Sequence, residues 1–410
     1  MINASKPQGD MHVLGHGMGT CLEPKDWPHI TLNELNQLKA HYAVLHGQLE
    51  IVWRSPRPFS SAVIVHVTPE HADAHTKNTA QFFIKRSHGS FRNVDDLLQE
   101  HVFIQHLADQ QICVPKLITH TENSTALAMG DWSYEIFERA QGFDLYADQL
   151  SWKPFFNACH AAKAGQMLAR MHRAAQGFSI RNERSAKYLV SNQKLLESED
   201  LVSAIRQRIE QSSALKAYFQ QHVLDENFLT QAHVIHQKIK KTFQKQQKIW
   251  THNDLHASNL LWSENSSNAE ISSVIDFGLC DYNSALYDLA VTIERNFIDW
   301  LELKKSDQGA YNTIYIDQKG LQAFMDGYLK LIPEVEHLHI LPELIKIVHL
   351  DFAFSELEYF IDITHNLNHA NAAYYDWLIS HTDWFCQTQG QAFSQFLSKL
   401  LPVRQVELIE

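Results

Sequence analysis

The runs of apolar, β-rich positions from Leu49 to about Arg139 predict strands with one helix among them, in the order strand, turn, strand, strand, helix, strand, strand. Glu50 to Trp53 is rich in β-formers. Ser61 to Thr68 carries Val63, Ile64, Val65 and Val67, and Gln81 to Lys85 is an apolar strand that ends on a lysine. The linker Ser55-Pro56-Arg57-Pro58-Phe59-Ser60 has turn chemistry. Leu97, Leu98, His101, Phe103, Ile104 and Leu107 fall at helical spacing, so Val94 to Asp109 is expected to be a helix. Thr125 to Met129 and Ser133 to Glu138 read as a hairpin around Gly130-Asp131. Residues 50–139 thus read as a small lobe with an antiparallel sheet and a helix.

Downstream the period changes. Lys153 to Ala175 places Ala161, Ala164, Met167, Leu168 and Met171 on one side of a long helix. Tyr188 to Lys248 is helical in pattern throughout. Short β-rich patches follow at Ile249 to Leu261 and Ile271 to Phe277, and helices resume from Leu286. Residues 140–410 therefore form a large, mostly helical lobe with an insert at about 179–248. Residues 1–49 read as an irregular arm and one helix, Thr31 to Tyr42, with a capping box of Thr31 and Glu34. The arm's Gly15-His16-Gly17-Met18-Gly19 is not read as a phosphate loop, because no strand precedes it and no clean helix follows. The fold class is α+β, and the cleft between the lobes is the expected ligand site.

Composition narrows the function classes. The 410 residues are 45% hydrophobic and 20% charged, as in globular proteins. Lys and Arg number 35 against 47 Asp and Glu, a formal charge of −12, which argues against a nucleic-acid partner. No apolar run reaches the roughly 18 residues of a membrane span. The five cysteines are odd in number and far apart, so they read as free thiols in a reducing compartment. With no signal peptide visible, the chain is expected to be cytoplasmic.

The chemistry concentrates in Thr251-His252-Asn253-Asp254-Leu255-His256-Ala257-Ser258-Asn259 and in Ile275-Asp276-Phe277-Gly278. Phosphoryl transfer needs a carboxylate beside the acceptor hydroxyl, an oxygen ligand for Mg²⁺ and a second carboxylate over the phosphates. His-x-Asp with Asn five residues after the Asp, then Asp-Phe-Gly downstream, is a kinase catalytic-loop pair. Ahead of it, Lys85 ends an apolar strand and Glu100 lies in the next helix, the order of a phosphate-gripping lysine held by a glutamate.

These residues resemble the aminoglycoside phosphotransferase and choline kinase-like family of small-molecule kinases, whose loop often reads His-Gly-Asp-x-His-x-x-Asn. The resemblance spans most of residues 50–370 and implies a two-lobed, protein-kinase-like fold. It implies Asp254 as catalytic base, Asn259 and Asp276 as Mg²⁺ ligands, and ATP or GTP as phosphate donor to a hydroxyl of a small molecule. Asn253 departs from the usual Gly. The nucleotide loop has no glycine, and Ser60 and Ser61 are either phosphate donors or plain turn residues. Tyr134 to Gly142 resembles the hinge, with backbone near Phe137, Glu138 and Ala140 facing the purine. His172 is expected to be a packed structural residue, and Asp288 to cap a helix.

The C-terminal half leaves more open. Glu294, Asp299, Asp351, Glu356, Glu358 and Asp362, with Trp300, Phe352, Phe354, Tyr359 and Phe360, either line an acidic acceptor pocket that favours cations or divide into core aromatics and solvated acids. His365, His369 and His381 read as a polar helix surface. An active small-molecule kinase is the leading expectation. The alternative is a nucleotide-binding pseudokinase without turnover, against which stands the intact set Lys85, Asp254, Asn259 and Asp276. A protein kinase is excluded by the absence of an Ala-Pro-Glu segment after Asp276. Neither the acceptor nor the oligomeric state is legible.

Overall fold

The computed structural model describes residues 26–56, 59, 61–69 and 79–402. The Gly15–Gly19 segment and Ser60 lie outside them. The first lobe is a five-stranded antiparallel sheet of β1 (Gln48–Arg54), β2 (Ser61–Thr68), β3 (Ala80–His88), β4 (Ala126–Met129) and β5 (Trp132–Glu138), in the order β1-β2-β3-β5-β4. Helix α1 (Leu32–Leu38) opens with the expected Thr31–Glu34 capping box. It packs Leu35 and Leu38 into one core with Val63, Val65, Val67, Ile84 and Ile136 of the sheet. Alternation in β2 therefore has a physical cause: its odd-numbered valines are the face that α1 covers.

Helix α2 (Val94–Asp109) has the predicted bounds, because Asn93 caps its N-terminus together with Asp96. It joins the lobes. His101 bonds Glu135 of β5 at 2.9 Å, while the Phe103 ring meets Phe178, Trp250 and Phe277 of the second lobe.

The second lobe contains α3 (Ala158–Ala175), α4 (Lys194–Glu197), α5 (Leu201–Gln211), α6 (Ser213–Gln221), α7 (Glu226–Phe243), α8 (Ala285–Phe297), α9 (Gln318–Leu331), α10 (Leu341–Leu344), α11 (Leu350–Asp362), α12 (Leu367–Asn371), α13 (Ser380–Cys386) and α14 (Thr388–Leu400). Helix α3 begins five residues later than its periodicity suggests, where Asn157 caps it. Two short antiparallel pairs carry the chemistry: β6 (Lys248–Thr251) with β9 (Asp281–Ser284), and β7 (Leu260–Trp262) with β8 (Ile271–Val274). Strand β9 is polar, Asp-Tyr-Asn-Ser, and carries no hydrophobic pattern by which the sequence would reveal it. Helices α3 and α9 cross at glycines: a Cβ on Gly327 would lie 2.3 Å from the Ala162 carbonyl oxygen, and one on Gly165 2.1 Å from that of Phe324. Among the described residues Cys113, Cys159, Cys280 and Cys386 are free thiols, and no described helix is long and apolar enough to cross a membrane.

Candidate active site

The loop between β6 and β7 holds Asp254 and Asn259. Its shape is set from behind by Asp288 of α8, whose carboxylate accepts the backbone N–H groups of His252 at 3.0 Å and Asn253 at 2.9 Å. The expected capping role of Asp288 is corrected here. Ser284 caps α8, and the fully buried Asp288 instead fixes the loop and bonds His172 at 3.1 Å. His172 is buried and reaches Tyr328 through its other nitrogen at 2.8 Å.

Asn253 has φ of +61°, a left-handed conformation that glycine adopts freely and asparagine tolerates best among larger residues. Its side chain offsets the cost. Nδ2 donates to the carbonyls of Ser191 (3.1 Å) and Leu279 (2.9 Å), and Oδ1 accepts from the Thr251 hydroxyl (2.7 Å). The departure from Gly therefore leaves the backbone intact.

Asn259 donates through Nδ2 to the Asp254 carbonyl at 2.8 Å and to its carboxylate at 3.3 Å. The Ile275 N–H bonds the Asn259 carbonyl at 3.0 Å, which brings Asp276 beside the loop. Lys85 Nζ, from the sheet, donates to Asp276 Oδ1 at 3.0 Å. Residues far apart in the chain thus converge on one place. Burial pushes the Asp276 carboxyl up, but the Lys85 charge and hydrogen bond outweigh it and hold Asp276 well below the usual carboxylate range. Lys85 in turn is pushed down by burial, and the Asp276 and Glu135 carboxylates more than reverse it.

Several expected partners differ. Glu100 is not the ion-pair partner of Lys85. Its buried carboxylate is taken by Arg184 at 2.5 Å and Arg92 at 3.4 Å. Both arginines also donate to the Gly278 carbonyl, so Glu100 anchors α2 to the segment that follows Asp276. The carboxylate opposite Lys85 in the sheet is Glu135, which sequence reading missed. Ser61 is 3% exposed, and its hydroxyl donates to the Pro28 carbonyl at 2.5 Å. In the stretch expected to be a hinge, the Glu138 N–H donates to the Lys116 carbonyl (2.8 Å) and the Phe137 ring packs on Phe83 and His101.

The acidic acceptor pocket does not form from the C-terminal acids. Asp351 and Glu358 share Arg208, Asp299 holds Lys153, and Asp362 is engaged by Lys187 and Tyr188. Phe354, Tyr359, Phe360 and Trp300 are core. In their place stands a residue that sequence reading missed. Arg295 of α8, 3% exposed, forms an ion pair with Asp254 Oδ1 and lies over the rings of Phe352 (5.0 Å) and Trp152 (5.5 Å). Burial pushes the Arg295 guanidinium down to about 9, and nearby Glu356 opposes that, so it stays charged at neutral pH. Its signal was the unusual Glu294-Arg295 pair inside the apolar run Leu289 to Phe297.

The sequence model of the family described as Phosphotransferase enzyme family matches residues 71–324. Among solved structures, amicoumacin kinase hAmiN in complex with AMP-PNP, Ca²⁺ and Ami is similar with a TM-score of 0.52 at 14% identity, over 86% of this chain and 94% of that one. The GDP complex of wild-type aminoglycoside 2'-phosphotransferase-IIIa gives 0.53 at 14% identity, over 86% and 98%. Choline kinase from Cryptosporidium parvum Iowa II gives 0.50 at 11% identity, over 89% and 97%. No curated protein matches the chain by sequence. The structural likeness shows the fold, a protein-kinase-like arrangement of two lobes.

Proposed function

The chain belongs to the phosphotransferase enzyme family, and from that premise we propose that it moves the γ-phosphate of ATP or GTP onto a hydroxyl of a small molecule, with Asp254 as the general base. The observation that carries this reading is the convergence of Lys85, Asp276, Asn259 and Asp254 through the 3.0 Å and 2.8 Å contacts described above. The residue types suit the task. Lys85 is a cation for phosphate oxygens, and Asp254 is a carboxylate that takes the proton of the acceptor hydroxyl. Asn259 and Asp276 offer hard oxygen donors of the kind Mg²⁺ prefers, and the Asn259 Nδ2 bonds leave its Oδ1 for such a role. When bound there, Mg²⁺ would supply charge neutralisation at the β- and γ-phosphates. AMP-PNP with Ca²⁺ in one structural neighbour and GDP in another are in keeping with a nucleotide and a divalent cation.

A second reading, a nucleotide-binding pseudokinase, draws on one observation: Arg295 holds the Asp254 carboxylate. The two are separated by measuring ADP release over a panel of hydroxylated metabolites, with Asp254→Asn as control. Acceptor-dependent ADP release that the control lacks supports the kinase. Nucleotide binding without release on any acceptor supports the pseudokinase.

A further inference from the structure

We propose that Glu294, His349 and His381 form a binding site for a zinc-class divalent cation inside the helical lobe, apart from the phosphoryl-transfer residues. Glu294 lies on α8, His349 immediately before α11, and His381 on α13. They are 1%, 3% and 0% exposed, and one candidate ligand atom from each lies within 4.8 Å of the other two. His381 Nδ1 is 2.7 Å from Glu294 Oε1.

The state of His349 points to a ligand. Its Nε2 is 3.2 Å from the Leu378 carbonyl, which can only accept, and 3.3 Å from the Thr382 hydroxyl, whose own proton goes to that same carbonyl, so a proton on Nε2 suits both neighbours. Nδ1 is then a bare lone pair, buried and without a hydrogen-bond partner. An imidazole that donates one N–H to a backbone carbonyl and turns the other nitrogen to a metal is the common arrangement of metal-ligating histidine. A buried acceptor with nothing to accept is otherwise costly.

The charge states agree. Burial pushes His349 down to about 4 and His381 well below the usual histidine range, so both imidazoles are in the neutral, ligating form at neutral pH. Burial raises the Glu294 carboxyl to about 7, so the cation displaces a proton that is only loosely held. Two imidazoles and one carboxylate are a zinc donor set, whereas Mg²⁺ prefers oxygen alone. A water would supply the fourth ligand of a zinc ion held there. The walls are aromatic: Trp300 stacks on His381 with centroids 3.7 Å apart, and Trp377 lies near His349. The cation would tie together three helical elements behind Arg295, the neighbour of Glu294 that holds Asp254.

The test uses the full chain. Protein from zinc-supplemented growth is desalted in Mg²⁺ buffer and its metal content measured. Chelated protein is then titrated with Co²⁺ as a spectroscopic probe. One zinc per chain, the intense visible bands of tetrahedral Co²⁺, and a melting temperature raised by Zn²⁺ and lowered by chelator are expected. His349→Leu should lose the zinc while Asp276→Ala keeps it. A folded wild-type chain that takes up neither Zn²⁺ nor tetrahedral Co²⁺ overturns the proposal and leaves a hydrogen-bonded Glu294–His381 pair beside His349. So does a folded His349→Leu chain that binds zinc as the wild type does. If His349→Leu does not fold, the wild-type titration decides.

Discussion

Arg295 and Asp254 form an ion pair between α8 and the catalytic loop, with the guanidinium buried and the carboxylate side chain 15% exposed. The ion pair orients the Asp254 carboxylate. Asp254→Asn keeps an oxygen for Arg295 and removes the base. Turnover should fall by roughly 10²–10⁴, the usual weight of general base catalysis, with little change in nucleotide affinity. Steady-state kinetics alongside nucleotide titration measure both. Wild-type turnover in this variant would take the base role from Asp254.

Asn253 separates backbone conformation from side-chain bonding. Asn253→Gly keeps the left-handed backbone and loses three side-chain hydrogen bonds, whereas Asn253→Ala loses both. The alanine variant should be less stable than the glycine variant by about 1–2 kcal/mol, the cost of a left-handed L-residue. Urea unfolding of the pair gives the difference. Equal midpoints would mean that the loop relaxes to another conformation.

Asp276 is kept ionised by Lys85 against its own burial. Asp276→Ala should abolish Mg²⁺-dependent nucleotide binding. Lys85→Met should leave Asp276 with burial unopposed by its main partner, so that the carboxyl titrates at higher pH. Nucleotide binding in the presence of Mg²⁺ should then fail on acidification sooner in Lys85→Met than in the wild type. Identical pH profiles would contradict the coupling.

Glu294 gives a pH dependence of stability. Its folded carboxyl is raised to about 7 by burial, so its contribution is present at pH below the ordinary carboxylate range and is lost as pH rises through about 7. In metal-free buffer, stability of Glu294→Gln relative to the wild type should therefore rise from about pH 4.5 to about pH 7, by a few kcal/mol at most. Urea midpoints at several pH values test it. A difference that stays flat with pH would place the carboxyl in its ordinary range.

Gly327 lets α9 approach α3. Gly327→Ala puts a methyl 2.3 Å from the Ala162 carbonyl and must move a helix. A loss of about 1–3 kcal/mol is expected from such overpacking, read as a lower melting temperature.

The sequence by itself determined the elements whose signal is local. β-rich apolar runs marked β2 and β3, the Thr31–Glu34 cap marked one helix start, helical spacing marked another helix, and fixed offsets placed Asp254 and Asn259 on one loop with Asp276 downstream. A motif of this kind survives translation into structure because a few backbone torsions set its geometry. Tertiary structure alone decided who pairs with whom. Glu100 was offered to Lys85 by order along the chain, yet Arg184, 84 residues later, takes it. Asp351, Glu356 and Glu358 looked like a negative cleft until folding buried them beside Arg208 and Arg295. Burying a charge is costly unless a partner is delivered to it, and partners delivered by packing of distant helices leave no spacing in the sequence to be read. Arg295 and the Glu294–His349–His381 cluster were hidden for that reason. Each residue is ordinary in its own helix, and only the packing of α8 against the catalytic loop, α11 and α13 gives it a role.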